Sequence, residues 1–160
     1  MNKLLELIVY VYNKYPKVEE LSKTRLVKLI YLIDWKYTLL TGKQFTDIKW
    51  YFNHYGPYVE DVMNLVKQEK SIFNVDSYEN RYGGHSDRIT KIKPMNVELS
   101  EAIMNASDFI ISNTKNLNWP DFISLVYSTF PVQNNSKYTY LNLESEAVEF
   151  KQKKNLHINQ

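Results

Sequence analysis

The chain contains no cysteine. That excludes disulfide scaffolds, thiol nucleophiles and cysteine-ligated zinc, and it is compatible with a reducing compartment. Glycine is scarce, with four in 160 residues. A phosphate-cradling loop needs clustered glycines beside a strand-to-helix turn, and these four do not supply one. A nucleophile elbow of the G-x-S-x-G type is also absent. No stretch approaches the roughly 18 uninterrupted apolar residues of a membrane span. The first fifteen residues are apolar but broken by Lys3, Glu6, Asn13 and Lys14, so they lack the continuous apolar region and small-residue cleavage site of a signal peptide. The formal net charge is only +2, which gives no strongly basic surface for non-specific nucleic-acid binding. These absences predict a cytoplasmic protein with neither membrane nor nucleic acid as a partner.

What is present is an ordinary folding composition, 44% hydrophobic and 24% charged, over a length that suits one domain. Aromatics are abundant at 14%, with 13 tyrosines against 7 phenylalanines. Tyrosine covers apolar surface while keeping a polar tip, so it suits both a core margin and a binding face.

Helical spacing of Leu4, Leu5, Ile8, Val11, Tyr12 and Tyr15 predicts an amphipathic first helix that Pro16 ends. A second helix should start near Ser22 or Thr24 as N-cap and stop at Gly42. Leu26, Leu29, Ile30, Ile33, Tyr37 and Leu40 form its stripe, and Val27, Tyr31, Leu32 and Trp35 widen that stripe nearly all round. A helix apolar on most sides is a central one. Residues 48–52 are rich in strand formers and too short for a helix. Pro57 is expected at the first position of a third helix, with Glu60 and Asp61 in its first turn. Alternation at Phe73, Val75 and Ser77, the turn signal Gly83-Gly84, and the return at Ile89 and Ile92 predict a hairpin near 72–92. A long helix over 97–114 should turn Leu99, Ala102, Ile103, Ala106, Phe109 and Ile110 inward. Asn118 should cap a further helix that Pro131 stops, and residues 143–150 a short last one.

The fold expected is mainly α (α+β): a compact helical domain around a central buried helix, all-α but for a small antiparallel β element. That element is a strand near 48–52 and the hairpin near 72–92. One domain is expected over 1–150, with residues 151–160 as a frayed tail.

Chemistry is harder to find. The histidines are His54, His85 and His157, none at a metal-binding spacing, so each reads as a surface or loop residue and no metal ligand is predicted. Asp34, inside the central helix beside Trp35, should be partly buried and ion-paired, for example with Lys28 or Arg25 across a turn or with a residue outside the helix. A hydrolase would need a second positioned group beside it. No catalytic residue and no cofactor are therefore expected. Residues 50–58 stand out, with six aromatics or histidines in nine residues around Gly56-Pro57. Trp50 and Phe52 should enter the core. Tyr51 then points the other way by strand alternation, and Tyr51, His54, Tyr55 and Tyr58 become candidates for a partner-binding patch, because aromatics dominate interface hot spots.

Three blocks resemble the Panacea family. The first is the helix at residues 24–35, carrying Lys28, Leu29, Ile30, Tyr31, Asp34 and Trp35, followed by Leu39-Leu40-Thr41-Gly42. The second is Tyr55-Gly56-Pro57-Tyr58-Val59. The third is residues 125–131, a helix ending in Thr129-Phe130-Pro131. Together they span nearly the whole chain. The resemblance implies a SocA-like antitoxin of the type II toxin–antitoxin class, encoded beside a toxin in bacteria or their phages, which binds that toxin directly and blocks it without catalysis. A homo-oligomer is compatible with it, and a separate DNA-binding module is not expected. The alternative class is a small winged-helix-like transcriptional regulator, with Arg25, Lys28, Arg81 and Arg88 on phosphate. A gel shift on duplex DNA separates the two: no retarded band is expected, whereas a band that weakens steeply with salt would favour the regulator.

Overall fold

The structure is a computed structural model that describes residues 2–158, with side chains to residue 155. Helix α1 (Lys3–Lys14) begins where the Asn2 side chain accepts a hydrogen bond from the Leu4 amide, and ends at Tyr15 before the proline. Helix α2 (Lys23–Thr41) is capped by Ser22, whose hydroxyl accepts from the Arg25 amide, and it terminates in Gly42 at φ 79°. The left-handed C-terminal glycine and the serine N-cap are the signals the sequence carries.

Helix α2 is the axis of the molecule. It is buried on every side from Arg25 to Trp35. It packs most extensively against α4 (Glu101–Thr114) and α7 (Leu143–Ile158), and also meets α3 (Asp61–Gln68) and the hairpin. Arg25 fastens its first turn to three other segments. The guanidinium donates to the Tyr15 hydroxyl and to the Thr114 and Leu117 carbonyls, and it lies 4.4 Å over the Phe122 ring. A cation suits that place, because the C-terminal carbonyls of α4 point at it.

The β content is two separate antiparallel pairs, so the fold is α-dominant rather than all-α. Strands β1 (Phe52–Asn53) and β2 (Gly56–Pro57) form a tight hairpin. Residues 48–51 are extended without joining a regular strand. Tyr51 bridges to Tyr140, and the Trp50 carbonyl accepts from the Leu141 amide, so the segment is held by a loop that returns from far along the chain. Strands β3 (Phe73–Glu79) and β4 (His85–Lys91) pair in the register Phe73↔Lys91 to Glu79↔His85. Phe73 and Ile89 face the core. The Asn80 side chain closes the turn by accepting from the Tyr82 and Gly84 amides.

Several boundaries differ from the sequence expectation. Helix α3 starts at Asp61, not at Pro57, because Pro57 is used in β2 and the Tyr58 amide donates to the Tyr51 carbonyl. Helix α4 starts after Ser100 rather than at Val97, and Phe109 is 49% exposed with the Lys36 ammonium over its ring, 4.1 Å from the centroid. Pro131 does not follow the last turn of α5 (Trp119–Ser128) as a stop. It sits inside a separate short helix, α6 (Phe130–Gln133), where a proline in the first turn forfeits no hydrogen bond. Helix α7 runs well past Phe150, beyond the point where a frayed tail was expected, while residues 159–160 and the His157 side chain lie outside the described residues.

Asp34 is the largest departure. It pairs with neither Lys28 nor Arg25. Its carboxylate accepts from the Thr46 amide at 3.0 Å, from the Thr46 hydroxyl, and from the Trp50 indole N–H at 2.9 Å. All three donors come from the segment leaving α2, so one buried acceptor stitches that segment back onto the helix. Three donors are what a fully buried carboxylate needs.

Two outcomes follow for Asp34. Asp34→Ala leaves buried donors on Thr46 and Trp50 without partners, and should lower unfolding free energy by roughly 3 kcal/mol or more. Burial pushes the Asp34 carboxyl up to about 6, with the hydrogen bonds from Thr46 and Trp50 opposing it. The folded value then exceeds the unfolded one, so this stabilising contribution is present at low pH and lost as pH rises to about 6. The advantage of the parent over Asp34→Asn in urea denaturation should shrink by about 2–3 kcal/mol between about pH 4 and 7.

Candidate functional site

Three sequence blocks that are distant along the chain meet around α2. The Lys28 ammonium donates to the Pro57 carbonyl at 3.1 Å. Gly56, at φ 101°, lies so close to Tyr127 that a Cβ there would sit 3.3 Å from the ring and 3.7 Å from the Lys28 Nζ. The Tyr31 hydroxyl bonds the Thr129 hydroxyl at 2.8 Å, and its ring meets Trp50 edge-on at 5.5 Å. Phe52 likewise meets Tyr127 edge-on. Trp35, at the other end of the buried run, packs on Phe150. Lys28, Tyr31, Asp34, Gly56 and Pro57 therefore converge on the turn at residues 50–58, whereas Trp35 packs toward α7 and Gly42 ends α2 in open space.

That turn carries the exposed chemistry. Trp50 and Phe52 are buried, as alternation predicts, and Tyr51 is half-buried on the other side. Tyr55 is 73% exposed at the tip, with the His54 ring edge-on against it at 4.5 Å. Tyr58 is half-buried at the base, and burial with Glu60 and Asp87 nearby pushes its hydroxyl up to about 12, so it stays a donor. The four sequence candidates thus lie on one turn.

The structure adds two residues to them. Tyr140 is 71% exposed and packs on Tyr51 at 5.0 Å. Tyr138 is exposed and its hydroxyl bonds His54 Nδ1 at 2.9 Å. Both come from the loop after α6. Tyr138 sits at φ 68°, a conformation that costs a bulky residue roughly 1–2 kcal/mol. Its amide donates to the Phe52 carbonyl at 2.6 Å, which holds it there. The sequence signal that existed was the pair of tyrosines itself; only the bridge to Tyr51 shows that they belong with the turn.

The arrangement is an aromatic, polar-tipped platform. Two shallow cavities flank Tyr58, one of about 550 Å³ toward Tyr51 and Tyr140 and one of about 340 Å³ toward His54 and Lys28. Among the described residues no group of His, Asp or Glu is clustered as metal ligands are. Arg25 and Lys28, offered above as phosphate contacts, are both buried. No helix among the described residues is long and apolar enough to cross a membrane.

Comparison with known proteins gives one result. The family model described as "Antitoxin SocA-like, Panacea domain" matches residues 26–130. That span takes in all but the edges of the three blocks that converge on α2. Neither a curated protein nor a solved structure matches the chain.

The glycine of the turn gives a direct check. Gly56→Ala meets both a left-handed backbone and the Tyr127 ring, and should cost roughly 2 kcal/mol or more. Gly42→Ala meets open space at φ 79°, so it should cost only about 1 kcal/mol. Thermal melting of the two variants should show that order.

Proposed function

Because the chain belongs to the SocA-like Panacea family of antitoxins, we propose that it neutralises a protein toxin by binding it directly, in the cytoplasm and without catalysis. The toxin is the product of an adjacent gene. The chain acts as a single domain.

The observation that carries this reading is the platform of Tyr51, His54, Tyr55, Tyr58, Tyr138 and Tyr140. Tyrosine offers a large, stiff contact area with a hydrogen-bonding tip, at low cost in side-chain entropy. Such residues are the anchors of interfaces, and a stable complex buries about 1,600 Å² around them. The platform is also rigidly mounted. Its two segments are tied to each other by the Tyr51 and Phe52 backbone contacts and to α2 by Lys28, so little ordering entropy is lost on association.

Co-expression with the adjacent gene tests the reading. Growth should be restored by the chain, and the toxin should be recovered with it in a pull-down. Tyr55→Ala and Tyr140→Ala should each weaken that complex by about 1–3 kcal/mol while leaving the melting temperature unchanged, since both side chains are exposed. Recovery of the bait alone together with no restored growth would overturn it.

A further inference from the structure

The one lysine buried beneath the platform is incompletely satisfied. Lys28 is 1% exposed, and its ammonium has three N–H donors. Among the described residues its hydrogen-bond acceptor is the Pro57 carbonyl alone, and no carboxylate lies within ion-pairing distance. The Tyr58 ring centroid is 5.7 Å from the Nζ, a weaker, non-acceptor contact. A buried ammonium is retained at considerable cost unless it is paired, and burial here lowers its pKa to about 8. Replacing it by an apolar side chain would be the simpler solution for packing.

The geometry gives the cation somewhere to look. Lys28 lines the cavity of about 340 Å³ that opens between α2 and the turn. Thr24, one turn earlier on the same face of α2, and Tyr58 contribute neutral hydroxyls to its wall. Tyr55 stands exposed at its mouth. We infer that this cavity is a socket for a carboxylate side chain, a glutamate or aspartate of the bound protein, which ion-pairs with Lys28 while its flanking residues pack on Tyr55.

A single negative charge fits better than a phosphate. Glu60 lies exposed on the rim, and it repels a dianion about twice as strongly as a carboxylate at the same distance. Of the two lysines in the lining, Lys23 already lies 3.7 Å from the Asp87 carboxylate, which leaves Lys28 as the cation without a carboxylate partner, short of the donor cluster that phosphate recognition uses. The desolvated ammonium makes the contact selective. A carboxylate completes it, an amide supplies an acceptor without charge, and an apolar side chain leaves the cation unpaired.

This inference deepens the antitoxin reading and rests on it for the identity of the partner, so the test has two arms. In the first, the Lys28 Nζ resonance of the labelled wild-type chain is followed by NMR while N-acetyl-glutamate N-methylamide is added, and then its glutamine counterpart. Glutamate should move the resonance saturably and glutamine should not. A resonance unmoved by glutamate, or moved equally by both, overturns the socket. In the second arm the product of the adjacent gene is titrated into the wild-type chain and into Lys28→Met. Binding should weaken by roughly thirtyfold or more, beyond any change in melting temperature from the lost bond to the Pro57 carbonyl. Equal binding by both chains overturns the pairing. Failure of the wild-type chain to bind that protein strikes the antitoxin reading instead, and the first arm distinguishes this by probing the socket without it.

Discussion

The buried carboxylate of Asp34 organises the half of the molecule that carries the aromatic turn. Asp34 sits in the middle of α2 and accepts hydrogen bonds from Thr46 and Trp50, so the chain leaving the helix is pulled back along it instead of departing into solvent. Trp50 is thereby seated against Tyr31, Phe52 follows into the core, and the turn at residues 53–57 emerges at a fixed height above Lys28. An apolar residue at position 34 would orient nothing and would leave the Thr46 and Trp50 donors without a partner. The specificity of the arrangement comes from the need to satisfy buried polar atoms, which permits few alternative paths.

The framework of helices was legible because it depends on local chemistry. Ser22, Gly42, Asn118 and the Tyr15-Pro16 step act within a few residues of themselves, and the structure uses each of them where periodicity places it. The all-round apolar character of residues 26–35 also translated directly into burial. The family resemblance was legible for a related reason: its three blocks contain the residues that touch one another around α2, so the pattern along the chain is the trace of one spatial cluster.

What escaped sequence reading depends on long-range contact. Asp34 was expected in an ion pair, on its own helix or with a residue outside it, yet its partners are neutral donors 12 and 16 residues downstream. Pro57 carries the signal of a helix start, and the pairing of Phe52 with it overrides that local preference. Tyr138 and Tyr140 reach the platform through an antiparallel bridge spanning almost ninety positions, with Tyr138 in a backbone conformation that nothing in its neighbours announces. Phe109 looked like a core residue by spacing alone, and its ring instead supports the Lys36 ammonium at the surface.

The bridge between Tyr51 and Tyr140 makes the aromatic platform discontinuous along the chain. Neither segment presents it alone, and the loop at 138–141 is held by the turn that Lys28 ties to α2, so the platform cannot survive local opening of that turn. The integrity of the platform and cooperative folding are thus a single property of this chain. A short peptide copied from residues 50–58 would carry the right side chains and still be inert, because half of the surface and all of its scaffolding would be missing.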